Sequence, residues 1–184
     1  MNQVRSAFEE ARQAGTVGPT VGFAFQTALR IAKRVRREVP LAPANASLFS
    51  LARPEFERRL PERATVAVVG IGEMGTLAAR SLAARAGTTL VLVNRSLEKA
   101  KALSQELGAQ AMGLEVFLRE PPQIHGLVTA TPVEYLIGNG FLKHQPQLKV
   151  IADLGLPRNV EPAVVPRGIT LIDLEAMQTL GERR

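Results

Sequence analysis

The sequence has no cysteine and no tryptophan, and only two histidines among its 184 residues. Without cysteine the chain can form no disulfide, no cysteinyl metal site and no thiol nucleophile. Two histidines argue against a zinc enzyme or a Ser-His-Asp triad, and we interpret His125 and His144 as polar loop residues. No apolar run approaches the roughly 18 residues of a membrane span, and the N-terminus lacks a signal-peptide core. We therefore predict a cytoplasmic protein that does not bind a membrane.

The chain has the composition of a globular protein, but its charge is uneven. Hydrophobic residues make up 46% and charged residues 22%, which excludes a disordered or collagen-like chain. Residues 1–63 hold eleven basic and six acidic residues of a chain whose net charge is +6. The densest basic run comprises Arg30, Lys33, Arg34, Arg36 and Arg37. This run is either a contact for nucleic-acid phosphates or a solvated helix face, and we favour the latter because no aromatic platform accompanies it.

Two segments differ in pattern, and we predict a helical segment with a linker over 1–45 and a nucleotide-binding domain over 46–184. Apolar spacing predicts one helix that stops at Gly15 and a second that starts at Pro19 and ends before Pro40. Ser47 is predicted to cap a third helix. Beyond it, strands are predicted at 65–70, 89–94, 127–131, 149–153 and 169–173, with helices at 73–87 and 96–108. This alternation is typical of an α/β fold with a Rossmann-like, doubly wound, mainly parallel sheet.

A glycine-rich stretch between the first strand and its helix is the most informative motif. It reads Gly70-Ile71-Gly72-Glu73-Met74-Gly75, which is G-x-G-x-x-G in the context that a dinucleotide-binding fold requires. The first glycine permits a tight turn, the second lets a pyrophosphate approach the backbone, and the third lets the helix pack against the sheet. The N–H groups at the start of that helix attract phosphate. We predict that all six residues form the cofactor site.

The end of the second strand indicates which cofactor is preferred. An NAD-binding domain usually carries Asp or Glu there, for the ribose 2′-hydroxyl. This strand ends instead in Asn94-Arg95-Ser96, roughly 20 residues beyond the glycines. Arg95 can pair with a 2′-phosphate, and Asn94 and Ser96 can hydrogen-bond to it. The sequence therefore favours NADP(H), although Arg95 as a solvated loop residue and Ser96 as a helix cap are the alternatives.

Two further strands end at the same predicted edge of the sheet. Thr129-Ala130-Thr131-Pro132 follows one of them and can border the ribose or nicotinamide, or can be a simple turn set by the proline. Asp153 ends the next strand. Its carboxylate either orders the following loop or faces the nicotinamide.

These motifs together resemble glutamyl-tRNA reductase. The resemblance rests on GIGEMG at 70–75, NRS at 94–96, TATP at 129–132 and DLGLPRNVEP at 153–162. The N-terminal stretch, with FQTALRIAKRVR at 25–36, resembles the end of that family's catalytic domain and the connection beyond it. The NADP domains of shikimate dehydrogenases share the first two motifs but not this N-terminal segment.

The resemblance implies reduction of glutamyl-tRNA to glutamate-1-semialdehyde, in tetrapyrrole (porphyrin) biosynthesis. In that family a cysteine attacks the ester, and NADPH delivers hydride to the thioester. This chain has no cysteine, and it begins where the family's catalytic domain is nearly finished. We therefore expect the NADPH-binding domain of such a reductase, without catalytic residues of its own.

Other functions stay open from the sequence. One is a stand-alone NADP-binding regulatory module, and another is a small oxidoreductase like a shikimate dehydrogenase. The latter needs a proton-transfer residue, for which Asp153 is the candidate. As partners we expect glutamyl-tRNA for the full-length protein, and self-association through the apolar residues of the helical segment if they lack their packing partners.

Overall fold

The computed structural model describes residues 2–38 and 48–182, with the side chains of 2–3, 33, 35–38 and 181–182 outside that description. The chain divides into two compact units, Met1–Asn45 and Ala46–Arg184. The predicted cap at Ser47 and the helix end near Pro40 lie outside the described residues.

The first unit consists of two helices, α1 (Asn2–Gln13) and α2 (Pro19–Glu38). Gly15 stands between them at φ 69°, a left-handed conformation that glycine adopts without strain. Phe8 of α1 is the only hydrophobic side chain of this unit that is buried among the described residues. Its ring stacks on Phe25 of α2, with the centroids 5.2 Å apart. Among the described side chains of this unit, this stacking is the one aromatic contact.

The second unit contains a six-stranded sheet in which every strand pair is parallel. The strands are β1 (Ala64–Val69), β2 (Thr88–Asn94), β3 (Gln110–Gly113), β4 (Gly126–Thr129), β5 (Val150–Asp153) and β6 (Thr170–Ile172). Their order is β3-β2-β1-β4-β5-β6, the order of a doubly wound Rossmann sheet. The chain reverses its direction of winding between β1 and β4, and in such sheets ligands bind outside the strand ends at that point. The predicted fold class is confirmed.

Both faces of the sheet are covered, as a parallel sheet of buried strands requires. Alternate residues of β1 show this, because Val66 and Val68 belong to one hydrophobic core while Ala67 and Val69 belong to the other. The first core also receives side chains from α3 (Leu48–Glu57), α4 (Glu73–Ala83), α5 (Leu97–Leu107) and α8 (Leu174–Glu182). The second receives side chains from α6 (Leu114–Arg119) and α7 (Asn139–Leu142).

Three of these elements were not predicted from the sequence: strand β3 and helices α6 and α7. Strand β3, Gln-Ala-Met-Gly, has no run of apolar β-branched residues, and helices of four and six residues are too short to show a helical period. Pro54 lies inside α3 without ending it. None of the described helices is long and apolar enough to cross a membrane.

Candidate functional site

A cavity of about 560 Å³ opens at the carboxyl edge of the sheet, at the reversal point between β1 and β4. Its walls come from the segments that follow β1, β2, β3 and β4. The lining residues are Val69, Gly70, Ile71, Gly72, Asn94, Arg95, Ser96, Lys99, Leu114, Ala130, Thr131, Pro132 and Val133.

Two glycines of the loop after β1 are required by the fold itself. Gly70 has φ 94°, and a Cβ there would overlap the carbonyl group of Ala130 and lie 2.9 Å from the Cγ2 atom of Thr131. A Cβ on Gly75 would overlap the carbonyl oxygen of Gly70. The first turn of α4 therefore packs directly on the loop, as the third glycine of the motif predicts.

Gly72 is different, because nothing in the folded chain requires a glycine there. It lies at the N-cap of α4 with φ −84°, and a Cβ would meet no atom within 4 Å. The space beside it is open and faces the cavity. The residues that follow, 73–75, are in the first turn of α4. The backbone N–H groups of a first turn have no hydrogen-bond acceptor within the helix, because no helical carbonyl precedes them. This cradle fits a pyrophosphate, which would occupy the space that a side chain at Gly72 would fill.

Asn94 connects the end of β2 to the glycine-rich loop that follows β1 (residues 70–72), here called the phosphate loop. Its side-chain oxygen accepts a hydrogen bond from the backbone N–H of Ile71 at 3.2 Å. Its amide nitrogen donates to the carbonyl oxygen of Ser96 at 3.1 Å. Both polar groups of this side chain therefore have partners within the protein, and Asn94 positions the loop. Ser96 is the N-cap of α5, although its hydroxyl makes no capping hydrogen bond.

Two cations face the cavity beside Asn94. Arg95 and Lys99 are both exposed, and neither has an ion-pair or hydrogen-bond partner among the described residues. Lys99 lies in the first turn of α5, four residues after Arg95. This end of the cavity therefore presents two unpaired positive charges, with no carboxylate among its lining residues.

The loop after β4 forms the opposite wall. Ala130, Thr131 and Pro132 line the cavity, and Ala130 donates its N–H to Val69 at 2.8 Å. Thr129 lies behind them and is fully buried, and its hydroxyl donates to a carboxylate oxygen of Asp153 at 2.9 Å.

Asp153 orders a loop and does not face the cavity. Besides Thr129, its carboxylate accepts the backbone N–H groups of Gly155, Asn159 and Val160 at 2.8–3.0 Å. The residue is 1% exposed. These contacts decide between the two interpretations of Asp153 that the sequence left open.

The structure brings nine of the thirteen predicted cofactor-binding residues to one cavity. The other four lie beside it: Glu73 is exposed on α4, Met74 packs against the first core, and Gly75 and Thr129 are buried. The pattern analysis missed Lys99. The signal was present, since Lys99 is a cation in the first turn of α5, which begins two residues after Arg95.

The two histidines lie away from this cavity. The Nδ1 atom of His125 accepts the backbone N–H of Thr65 at 3.0 Å, and the Nδ1 atom of His144 lies 2.7 Å from the carbonyl oxygen of Gly140. His125 lines a separate cavity of about 460 Å³ with Arg59 and Lys149. Across residues 2–38 and 48–182, no three acidic or histidine side chains are grouped to hold a metal ion.

The strand order, the reversal point and the glycine cradle define a Rossmann-type dinucleotide-binding domain. Comparison with known proteins agrees. Residues 50–180 match the family model for shikimate / quinate 5-dehydrogenase, and residues 1–39 match the model for the N-terminal domain of glutamyl-tRNA reductase.

Similar curated proteins are glutamyl-tRNA reductases. The one from Moorella thermoacetica is 31% identical over 96% of this chain and 42% of its own length. The one from Stutzerimonas stutzeri is 34% identical over 89% of this chain and 41% of its own. The solved glutamyl-tRNA reductase of Methanopyrus kandleri superposes with a TM-score of 0.62 at 26% identity, covering 99% of this chain and 48% of that one.

The chain belongs to the shikimate / quinate 5-dehydrogenase family of nucleotide-binding domains through residues 50–180. The resemblance to glutamyl-tRNA reductase is confirmed along almost the whole length of this chain. The chain spans less than half the length of the curated relatives that it matches.

Proposed function

We propose that this chain binds NADPH in the cavity at the carboxyl edge of the sheet. The observation that carries the proposal is the pair of unpaired cations, Arg95 and Lys99, in a wall without carboxylates. A 2′-phosphate supplies the negative charge that this wall lacks, whereas a 2′-hydroxyl would leave both cations without a counter-charge. The cradle at Gly72 holds the pyrophosphate. When bound, NADPH supplies a hydride donor.

Fluorescence titration with NADPH and NADH tests the proposal. We expect the chain to bind NADPH more tightly than NADH. Arg95→Ala removes a charge-assisted contact of about 1.5–3 kcal/mol and so weakens NADPH roughly 10- to 100-fold. It leaves NADH nearly unchanged. Lys101→Ala is the matched control, because Lys101 is an exposed cation on the same helix that does not line the cavity. Equal affinity for the two nucleotides would refute the assignment.

For the whole protein we propose glutamyl-tRNA reduction, with this chain contributing the hydride-donor domain. The relatives over its full length support this, as does the match of residues 1–39 to the N-terminal domain model. The chain has no cysteine, so it cannot itself form the thioester that the family resemblance implies. We expect NADPH binding but no NADPH oxidation when glutamyl-tRNA is added to the chain alone.

A chimera distinguishes this proposal from a regulatory module. In the chimera, the N-terminal part of the Moorella thermoacetica relative precedes residue 1 of this chain. Oxidation of NADPH in the presence of glutamyl-tRNA supports the reductase proposal. A chimera that binds NADPH normally and oxidises none favours the stand-alone NADP-binding module.

The structure argues against a small dehydrogenase that acts on a free carbonyl substrate with Asp153 as its proton-transfer group. That carboxylate is buried and already accepts four hydrogen bonds from Thr129, Gly155, Asn159 and Val160. It has no free path to a ligand in the cavity.

Contact with tRNA, self-association and a cytoplasmic location stay predictions. Helix α2 carries Arg30 and Arg34, and several neighbouring basic side chains lie outside the described residues. A tRNA contact there would weaken steeply with salt, whereas a solvated helix face would show no binding.

For self-association, the first unit exposes 71% of Phe23 and 55% of Ile31. Light scattering on the chain and on Phe23→Ser measures whether this apolar surface joins two copies.

A further inference from the structure

Asn159 is a buried polar residue that does not line the proposed cofactor site, and no role has yet been assigned to it. Its side chain is fully buried and lies behind the loop that follows β4. The side-chain oxygen accepts the backbone N–H of Thr131 at 2.8 Å. The side-chain nitrogen donates to the carbonyl oxygens of Thr131 at 2.9 Å and Val133 at 2.8 Å. One amide therefore fixes three backbone groups of the cavity wall.

The amide is itself held in place by Asp153. The backbone N–H of Asn159 donates to the carboxylate of Asp153 at 2.8 Å. A Cβ at Gly155 would overlap the amide nitrogen of Asn159, so the turn after β5 closes tightly around this side chain. The sequence of contacts runs from β5 through Asp153 and Asn159 to Thr131 and the cavity.

The wall that Asn159 holds lies across β1 from the two cations. Arg95 follows β2, whereas Thr131 follows β4, and these strands flank β1 on opposite sides. A dinucleotide across this crevice with its 2′-phosphate at Arg95 has its other half beside the β4 loop. The geometry points to Asn159 as a positioning residue for the nicotinamide half of the cofactor, an inference that rests on the proposed function.

A change of Asn159 to aspartate should therefore weaken the binding of NADPH but not that of a ligand that lacks the nicotinamide half. Asn159→Asp keeps the shape of the side chain but removes the donors that face the carbonyl oxygens of Thr131 and Val133. Adenosine 2′,5′-bisphosphate occupies only the half of the site beside Arg95. We expect the variant to bind NADPH at least tenfold more weakly and to bind the bisphosphate within twofold of the unchanged chain.

Gln145 provides a matched control. It is also a buried amide, 2% exposed, with its oxygen accepting the N–H of Ile124 and its nitrogen donating to the carbonyl oxygen of Pro122, both at 3.0 Å. These groups precede β4 and β5 and so lie at the opposite edge of the sheet. Gln145→Glu makes the same chemical change away from the cavity, and it should leave the ratio of the two affinities unchanged.

Each outcome of these titrations decides something. If Asn159→Asp binds NADPH within twofold of the unchanged chain, or loses both ligands equally, the role of Asn159 is refuted. Asn159→Ala, which adds no charge, gives the same comparison if the acid does not fold. If the unchanged chain binds neither ligand, the proposed function fails. If it binds NADPH no more tightly than the bisphosphate, the cofactor site stands and the role of Asn159 is refuted.

Discussion

The side-chain oxygen of Asn94 accepts a hydrogen bond from the backbone N–H of Ile71, 3.2 Å away. The end of β2 thereby holds the loop that follows β1. Asn94→Ala removes this link, whose net worth is about 0.5–1.5 kcal/mol. We expect NADPH and NADH to weaken by the same small factor, because both carry the pyrophosphate that the loop binds. Fluorescence titration of both nucleotides measures the factor, and a change confined to NADPH would instead place Asn94 at the 2′-phosphate.

Lys99 should share the discrimination with Arg95. It lines the same wall and has no partner among the described residues. Lys99→Ala removes an exposed cation from a 2′-phosphate, so NADPH affinity should fall about tenfold, or by about 1.4 kcal/mol, while NADH affinity stays unchanged. The slope of log affinity for NADPH against log salt should also become less steep. If both nucleotides weaken together, Lys99 acts on the phosphate loop and not on the 2′ position.

Alanine substitutions at Gly75 and Gly72 should have different effects: the first should lower stability, and the second should lower the affinity for NADPH. A Cβ at Gly75 overlaps a backbone carbonyl oxygen, so Gly75→Ala should cost stability at the upper end of the usual 1–3 kcal/mol range for overpacking, about 3 kcal/mol. Gly72→Ala meets no atom within 4 Å and has a permitted φ, but alanine is a poorer N-cap than glycine, so the gain of about 0.4–1 kcal/mol from a less flexible unfolded chain should be offset and stability should change by less than about 1 kcal/mol. Urea unfolding measures both changes. The same Gly72→Ala protein should bind NADPH at least tenfold more weakly, and undiminished binding would show that the cradle is not used.

Asp153 should matter for stability more than Thr129 does. Asp153→Asn replaces a carboxylate that accepts three backbone N–H groups and a hydroxyl, and one of the amide groups must then face a donor. We expect a loss of about 1.5–3 kcal/mol in the free energy of unfolding. Thr129→Val removes only one donor and keeps the side-chain shape, so its loss should be about 1 kcal/mol. Equal losses in urea unfolding would contradict this view of the carboxylate.

The sequence predicted the strands and helices that show regular apolar spacing, and the glycine at which a helix stops. Strands β1 and β2, helix α5, the start of α4 and the stop at Gly15 agree with the structure, because apolar spacing and a glycine at a turn can be recognised in the local sequence. Strand β3 left no such trace because its sequence, Gln-Ala-Met-Gly, has no run of apolar β-branched residues, whereas the equally short β4 and β5 have one. The predicted helix over 73–87 ends at Ala83, since its last turn carries no pattern that distinguishes helix from loop.

The candidate site was predictable where a motif carries it and unpredictable where distant residues meet. The residues Gly70, Gly72 and Arg95 follow from local spacing and chemistry, and they line the cavity. The role of Asn159 depends on contacts with Thr131 and Val133, more than twenty residues earlier in the chain. No local pattern shows such a pairing, because it exists only once β4 and β5 lie side by side.

The bond between Asn159 and Thr131 also has a kinetic consequence. The N–H of Thr131 can exchange its hydrogen with water only when its bond to the side-chain oxygen of Asn159 opens, and that opening frees the wall of the cavity. A ligand that requires the closed wall therefore slows isotope exchange at this one amide, by the factor with which it shifts the equilibrium. Isotope exchange at the Thr131 amide and the affinity of the ligand should therefore report the same opening equilibrium of the cavity wall.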